Sequence, residues 1–176
     1  LMKGSCEFLL DWLFENDEGQ LITCPSTSPE NTYLDSEGNK LGVSYATTSD
    51  MAFARQLFKN AISAIEVLGK DEDFKKRLDD ARERLFPYQI GKNGVLQEWA
   101  EDFDEPEPGH RHLSHLIGLH PGDHISPYNT PDLATAAENS LARRIRYGGG
   151  ATGWSCAWKI NLFARLKDAS NAYRSV

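Results

Sequence analysis

TSDMAFARQLFKNAISAIEVLGKDEDFKKRLDDARERLFP, residues 48–87, is the stretch that decides the fold. Ala54, Leu57, Phe58, Ala61, Ile62, Ile65 and Leu68 recur three and four positions apart, a spacing that lines one face of a helix rather than one face of a strand. Ser49 or Thr48 offers a capping hydroxyl at the start, and Gly69 a left-handed stop at the end. A second stripe, Phe74, Leu78, Ala81 and Leu85, begins near Asp71, carries Lys and Arg on its opposite side, and runs until Pro87 ends it. So short a connection between two helices makes them an αα-hairpin.

Toward the N-terminus, Phe8, Leu9, Trp12 and Leu13, after Met2 and Cys6, repeat the helical spacing until the polar run Glu15 to Gly19 breaks it. Residues 15–48 hold turn formers without a sustained period. A loop of that length in a compact domain is usually functional or disordered, and CPSTSPENTY (24–33) favours function. Toward the C-terminus, Tyr88–Ile90 and Val95–Trp99 flank Gly91-Lys92-Asn93-Gly94 and read as one small β-hairpin. Thr130-Pro131 starts a helix through Leu133, Ala136, Ala137, Leu141 and Arg144, which Gly148–Gly150 ends. Trp154 to Leu166 forms a further amphipathic helix, and Ala169 to Val176 a short one. Helix pairs alternating with long Pro-, Gly- and His-bearing loops predict a mainly α chain, part of an (α/α)6 toroid with its loops on one face.

The 176 residues, 40% hydrophobic, suffice for a core, and the formal charge of −7 with a mean hydropathy of −0.52 excludes a basic nucleic-acid surface. No apolar run approaches the roughly 20 residues that cross a bilayer. Cys6, Cys24 and Cys156 are odd in number and widely spaced, so neither a disulfide framework nor a zinc knuckle is signalled. Helical spacing already runs at Leu1, so the N-terminus reads as a cut inside a longer protein. Any targeting signal would lie upstream, and the compartment is left open, secreted or periplasmic locations included.

All five histidines, His110, His112, His115, His120 and His124, fall within residues 110–124, where even scatter would place fewer than one. Three readings fit them: a polar wall for a hydroxyl-rich ligand, buried structural histidines, or metal ligands, the last without HExxH or CxxC spacing. Trp99, Trp154, Gln97 and Asn31 lie in or beside the loops, and aromatic faces beside planar polar groups suit a sugar; Trp158 reads as core. Among the nearby carboxylates, Glu30 has the setting that general-acid catalysis needs: a Pro-stiffened bend in which an apolar surround could keep it protonated. Its alternative is to cap a turn. Glu101, Asp102, Asp104, Glu105 and Glu107 crowd one another and read mostly as a solvated acidic loop. No Walker loop, GxGxxG, GxSxG or calcium loop is present, and no cofactor is implied.

CPSTSPENTY (24–33), LQEWAEDFDEPEPGHRHLSHLIGLHPGDHI (96–125), TPDLATAA (130–137) and TGWSCAWKINLFARLKD (152–168), in this order, resemble the α-L-fucosidases of glycoside hydrolase family 95. The resemblance implies a multi-domain enzyme with an (α/α)6 catalytic barrel that hydrolyses terminal α-1,2-linked L-fucose with inversion, some members acting on α-L-galactosides. It implies Glu30 as general acid, and Asn31, Gln97, Glu98, Trp99, His110, Arg111, His112, His115 and Trp154 as residues that bind the sugar or support its pocket. The asparagine and aspartate that activate water in the family would lie outside this chain, so the chain alone is expected to be inactive. Two departures from the family pattern, His120 in GLHPG and Ala151 before TGWS, bear on sugar preference. The expected partners are a fucosylated oligosaccharide and the remaining domains of the parent protein, with self-association through helix faces made for absent neighbours. A degenerate carbohydrate-binding module is the alternative to an enzyme.

Overall fold

The computed structural model describes residues 1–176 and is mainly helical. In chain order it contains α1 (Met2–Trp12), β1 (Leu13–Glu15), β2 (Leu21–Thr23), β3 (Tyr33–Leu34), β4 (Lys40–Leu41), α2 (Thr48–Leu68), α3 (Glu72–Arg84), α4 (Pro131–Arg146), α5 (Gly153–Arg165) and α6 (Ala169–Arg174). Short 3-10 turns occupy Lys92–Gly94 and Ser114–Gly118. The αα-hairpin forms as its spacing predicts. Gly69 takes the left-handed conformation that ends α2, its N–H donating to the Ile65 carbonyl, and Phe74, Leu78, Ala81 and Leu85 of the α3 side are all buried against α2.

The start of α2 differs from the sequence reading. Its cap is Thr47, and neither Thr48 nor Ser49 caps the helix with its side chain. Those hydroxyls are used tertiarily: Thr47 Oγ1 lies 2.7 Å from Ser26 Oγ, and Thr48 Oγ1 donates to the Gln97 carbonyl at 2.6 Å. The start of α2 is therefore fastened to both flanking loops. At the other end the apolar stripe runs past its cover, and Leu68 is 68% exposed. On α1, Cys6 and Leu13 join the core while Phe8 is 65% exposed and meets the Trp12 ring at 6.1 Å on the outer surface.

Residues 15–48 are more ordered than their lack of period suggests. β1 and β2 pair antiparallel, Leu13 opposite Thr23, and β3 and β4 pair with Tyr33 opposite Leu41. Asn16 Oδ1 accepts from the Glu18 and Gln20 amides to close the first ribbon, and Asp35 Oδ1 accepts from Glu37 and Asn39 to close the second. The reversal read as a hairpin at 88–99 is present, but it narrows to one antiparallel bridge, Ile90 with Leu96, around the turn at Lys92–Gly94.

Two apolar cores result. One joins α1, α2, α3 and the first ribbon; the other joins Leu96, the 113–125 loop, α4 and α5. α2 packs on α3, on α1 and on the Ser114–Gly118 turn, so it is the element that connects the two halves. Helix pairs bearing long ordered loops are the arrangement expected of part of a helical toroid. No helix is long and apolar enough to cross a membrane.

Candidate active site

The segment Ser26–Asn31 is held at its base and at its tip. At the base, the Ser26 and Ser44 backbones exchange two hydrogen bonds of 2.8 Å, and Ser26 Oγ donates to Asp50 Oδ2 at 2.6 Å. Burial pushes the Asp50 carboxyl above its ordinary range, against the pull of the Ser26 and Thr47 hydroxyls. At the tip, Ser28 Oγ donates to Glu98 Oε1, and Asn31 Nδ2 donates to the same oxygen at 3.1 Å. Between these anchors Glu30 has φ 56°, the left-handed region, which costs a non-glycine residue about 1–2 kcal/mol. The surrounding hydrogen bonds keep it there.

Glu98 is the hub beneath this loop, its side chain 2% exposed. It pairs with the equally buried Arg144 of α4 while accepting from Ser28 and Asn31. Burial alone would raise its pKa; the charges of His115 and Arg144 and the hydrogen bonds from Ser28 and Asn31 outweigh that, and Glu98 is held below the ordinary carboxylate range. His115 Nδ1 is 3.3 Å from Glu98 Oε2, but it lies off the line that a hydrogen bond requires and makes none. Burial lowers the His115 pKa against the pull of the Glu98 charge.

Arg111 and His112 meet the Glu30 carboxylate from the opposite loop. Arg111 forms an ion pair with Oε2, and His112 Nε2 lies 3.2 Å from the same oxygen. The other nitrogen of His112, Nδ1, is 3.1 Å from the Pro29 carbonyl. A carbonyl only accepts, so Nδ1 carries a hydrogen, while Nε2 meets Oε2 as a close polar contact without a hydrogen bond. His110 stands edge-on to His112 at 5.1 Å, and its Nδ1 accepts from the His112 amide at 3.2 Å; burial lowers its pKa. Trp154 meets His112 edge-on at 5.3 Å and remains 57% exposed. Beneath it, Ser155 Oγ donates to the Arg111 carbonyl at 3.0 Å and lies 3.0 Å from Thr152 Oγ1, so the start of α5 fixes the histidine loop.

The residues singled out in the sequence therefore divide. Glu30, Arg111 and Trp154 form one exposed wall, with His112 half-buried among them. Asn31, Glu98, His110 and His115 are buried behind it. Trp99 is a packing residue, 5.5 Å from the Tyr33 ring, and Gln97 turns its amide toward the carbonyls of Trp99 and Ala100. Trp158 packs against the second core, as its helical position suggests, and donates to the His120 carbonyl at 2.9 Å. Histidines adjacent in sequence thus separate in space: His124 faces Tyr88, and no group of three His, Cys, Asp or Glu converges to hold a metal.

Two expectations need correction. Glu30 is 61% exposed beside a guanidinium and not in the apolar surround expected around an acid. Glu105 is not solvated: it clamps Arg143 and Arg144 of α4. Arg144, Ser28 and Ser155 are the supports that sequence reasoning missed. For Arg144 a signal was present, because a lone arginine stood on the otherwise apolar face formed by Ala137 and Leu141.

The catalytic-domain profile of glycosyl hydrolase family 95 matches residues 1–176. The chain belongs to that family. "Alpha-L-fucosidase 2" of Arabidopsis thaliana is 44% identical over 177 residues, covering 100% of this chain and 21% of that protein. "Probable alpha-fucosidase A" of Aspergillus oryzae is 30% identical, covering 88% of the chain and 22% of its own length. The corresponding protein of Aspergillus niger is also 30% identical, over 98% of the chain. The chain thus spans about a fifth of the length of these relatives. The matched region is that family's catalytic domain.

Proposed function

We propose that this chain supplies the acid side of the active site in an inverting exo-α-L-fucosidase that removes terminal α-1,2-linked fucose from oligosaccharides. The observation that carries the reading is Glu30: a non-glycine residue held in the left-handed region, with its carboxylate gathered by Arg111 and His112 beside an exposed tryptophan. A sugar alkoxide is a poor leaving group, so the glycosidic oxygen must receive a proton as its bond to the anomeric carbon breaks. In its protonated form Glu30 gives that proton. The carboxylate left behind stays beside Arg111. Trp154 offers its face to the apolar side of the sugar.

Water completes the reaction from the opposite face. It adds to the anomeric carbon in the same displacement and gives its own proton to an asparagine–aspartate pair, inverting the configuration. That pair is contributed from outside residues 1–176, separated from Glu30 by roughly 6.5–9.5 Å to leave room for the water. The fucosidase names of the relatives support this choice of sugar. The test is fucose release from 2′-fucosyllactose by the longer protein that contains this segment and by its Glu30→Gln form. The expected loss is about 10²- to 10⁴-fold. Undiminished turnover in the variant would remove Glu30 as the acid, and binding of the oligosaccharide without turnover in the unaltered protein would make it a binding module.

A further inference from the structure

The acid loop and the histidine loop belong to different parts of the chain, yet they must be set within a fraction of an ångström of each other for Glu30 to meet both a sugar oxygen and His112. Their own contacts are few: an exposed ion pair and the 3.1 Å contact of His112 Nδ1 with the Pro29 carbonyl. The Glu30 and Arg111 side chains are 61% and 50% exposed, and an exposed Arg–Glu pair contributes little to order. The fixed reference lies beneath them. Arg144 is 3% exposed in its side chain and stands in the last turn of α4. One terminal nitrogen of its guanidinium pairs with Glu98, which in turn accepts from Ser28 and Asn31, the residues on either side of Pro29-Glu30. The other terminal nitrogen pairs with Glu105 and donates to the carbonyls of Glu107 and Pro108, each at 3.2 Å, three and two residues before His110. Its own carbonyl accepts from the Gly149 amide at 2.8 Å, on the path into the Thr152–Ser155 segment that fixes Arg111.

We propose that Arg144 is the positioning residue for the general acid, its planar fork setting the acid loop through Glu98 and the histidine loop through the Glu107 and Pro108 carbonyls. The inference rests on the reading of Glu30 as the acid. The fork geometry matters as well as the charge: five N–H donors in one plane serve two carboxylates and two carbonyls, which an ammonium group on a flexible stem cannot reproduce. Arg144 touches neither substrate nor the reacting atoms. It acts by removing freedom from residues that do.

The experiment separates placement of the acid from general damage by varying the leaving group in the longer protein. 2′-Fucosyllactose needs its leaving oxygen protonated, whereas α-L-fucosyl fluoride releases an anion that needs far less help. Arg144→Lys keeps the buried charge and loses the fork. Its kcat on fucosyllactose is expected to fall about 10²-fold, with KM little changed and kcat on the fluoride within about 3-fold of the unaltered protein. If the lysine variant does not fold, Arg144→Met combined with Glu98→Gln removes both buried charges while the side-chain amide oxygen introduced at position 98 still accepts from Ser28 and Asn31, and the same selective loss is expected. Equal losses on both substrates in whichever variant folds, or no loss, overturn the proposal. Glu30→Gln run alongside distinguishes the two levels: a leaving-group-selective loss there with none in the Arg144 variant removes the positioning role alone, and no selective loss at Glu30 removes the acid itself.

Discussion

Gly109→Ala tests whether the histidine loop is placed by the end of α4. A Cβ at this position would lie 2.1 Å from the Tyr147 carbonyl oxygen and 2.7 Å from its carbonyl carbon, both backbone atoms at the helix terminus that no rotamer change can move aside. Reaching an ordinary contact of about 3.4 Å requires a displacement of about 1.3 Å, and it falls on the segment that leads directly into His110–His112. The contact of His112 Nε2 with Glu30 is 3.2 Å, so a shift of that size breaks it. Overpacking of this kind costs about 1–3 kcal/mol, and misplacing a reacting group by 1 Å costs about 10²-fold in rate. Urea unfolding measures the first, and fucose release by the longer protein measures the second. Gly4→Ala is the control of opposite sign: nothing lies within 4 Å of its Cβ, and replacing a helical glycine there is expected to stabilise by up to about 1 kcal/mol. A Gly109→Ala protein of unchanged stability would refute the packing argument. One that is destabilised but fully active would refute the link from that packing to Glu30.

Three further outcomes are expected. His124, facing Tyr88 at 3.0 Å with Arg55, Lys59 and Asp123 nearby, is held neutral, its pKa lowered to about 4 chiefly by burial. The unfolded chain takes up that proton first, so stability from the neutral ring is complete above about pH 6.5 and is lost, by about 2–3 kcal/mol, as the pH falls toward 4; unfolding free energies across that window should flatten in His124→Asn. Trp99→Ala should destabilise by about 3–5 kcal/mol because the ring is buried, whereas Trp154→Ala should leave the melting temperature nearly unchanged and raise KM, a contrast that calorimetry and kinetics read directly. The isolated chain, with Phe8, Phe14, Val67 and Leu68 exposed, should self-associate in light scattering, and a monodisperse monomer at high concentration would count against that.

The sequence alone determined the helices, because three-and-four spacing, a left-handed Gly69 and Thr130-Pro131 are local signals that burial then ratified. It also singled out the SPEN and GHRH stretches by residue type and order, and the structure sets the two side by side. The small ribbons at 13–23 and 33–41 escaped it, because strands of two or three residues show no alternation. Only the tertiary structure decided which of the chemically similar residues face outward. His110, His112 and His115 differ by a few positions, yet one meets Glu30 while the other two are buried, because the turn at Ser114–Gly118 and the anchors at Ser155 and Arg144 divide them. The same is true of the carboxylates. Glu30 and Glu98 are 68 positions apart and joined through Ser28 and Asn31, and which is exposed and which is buried follows from long-range contacts that no local pattern contains.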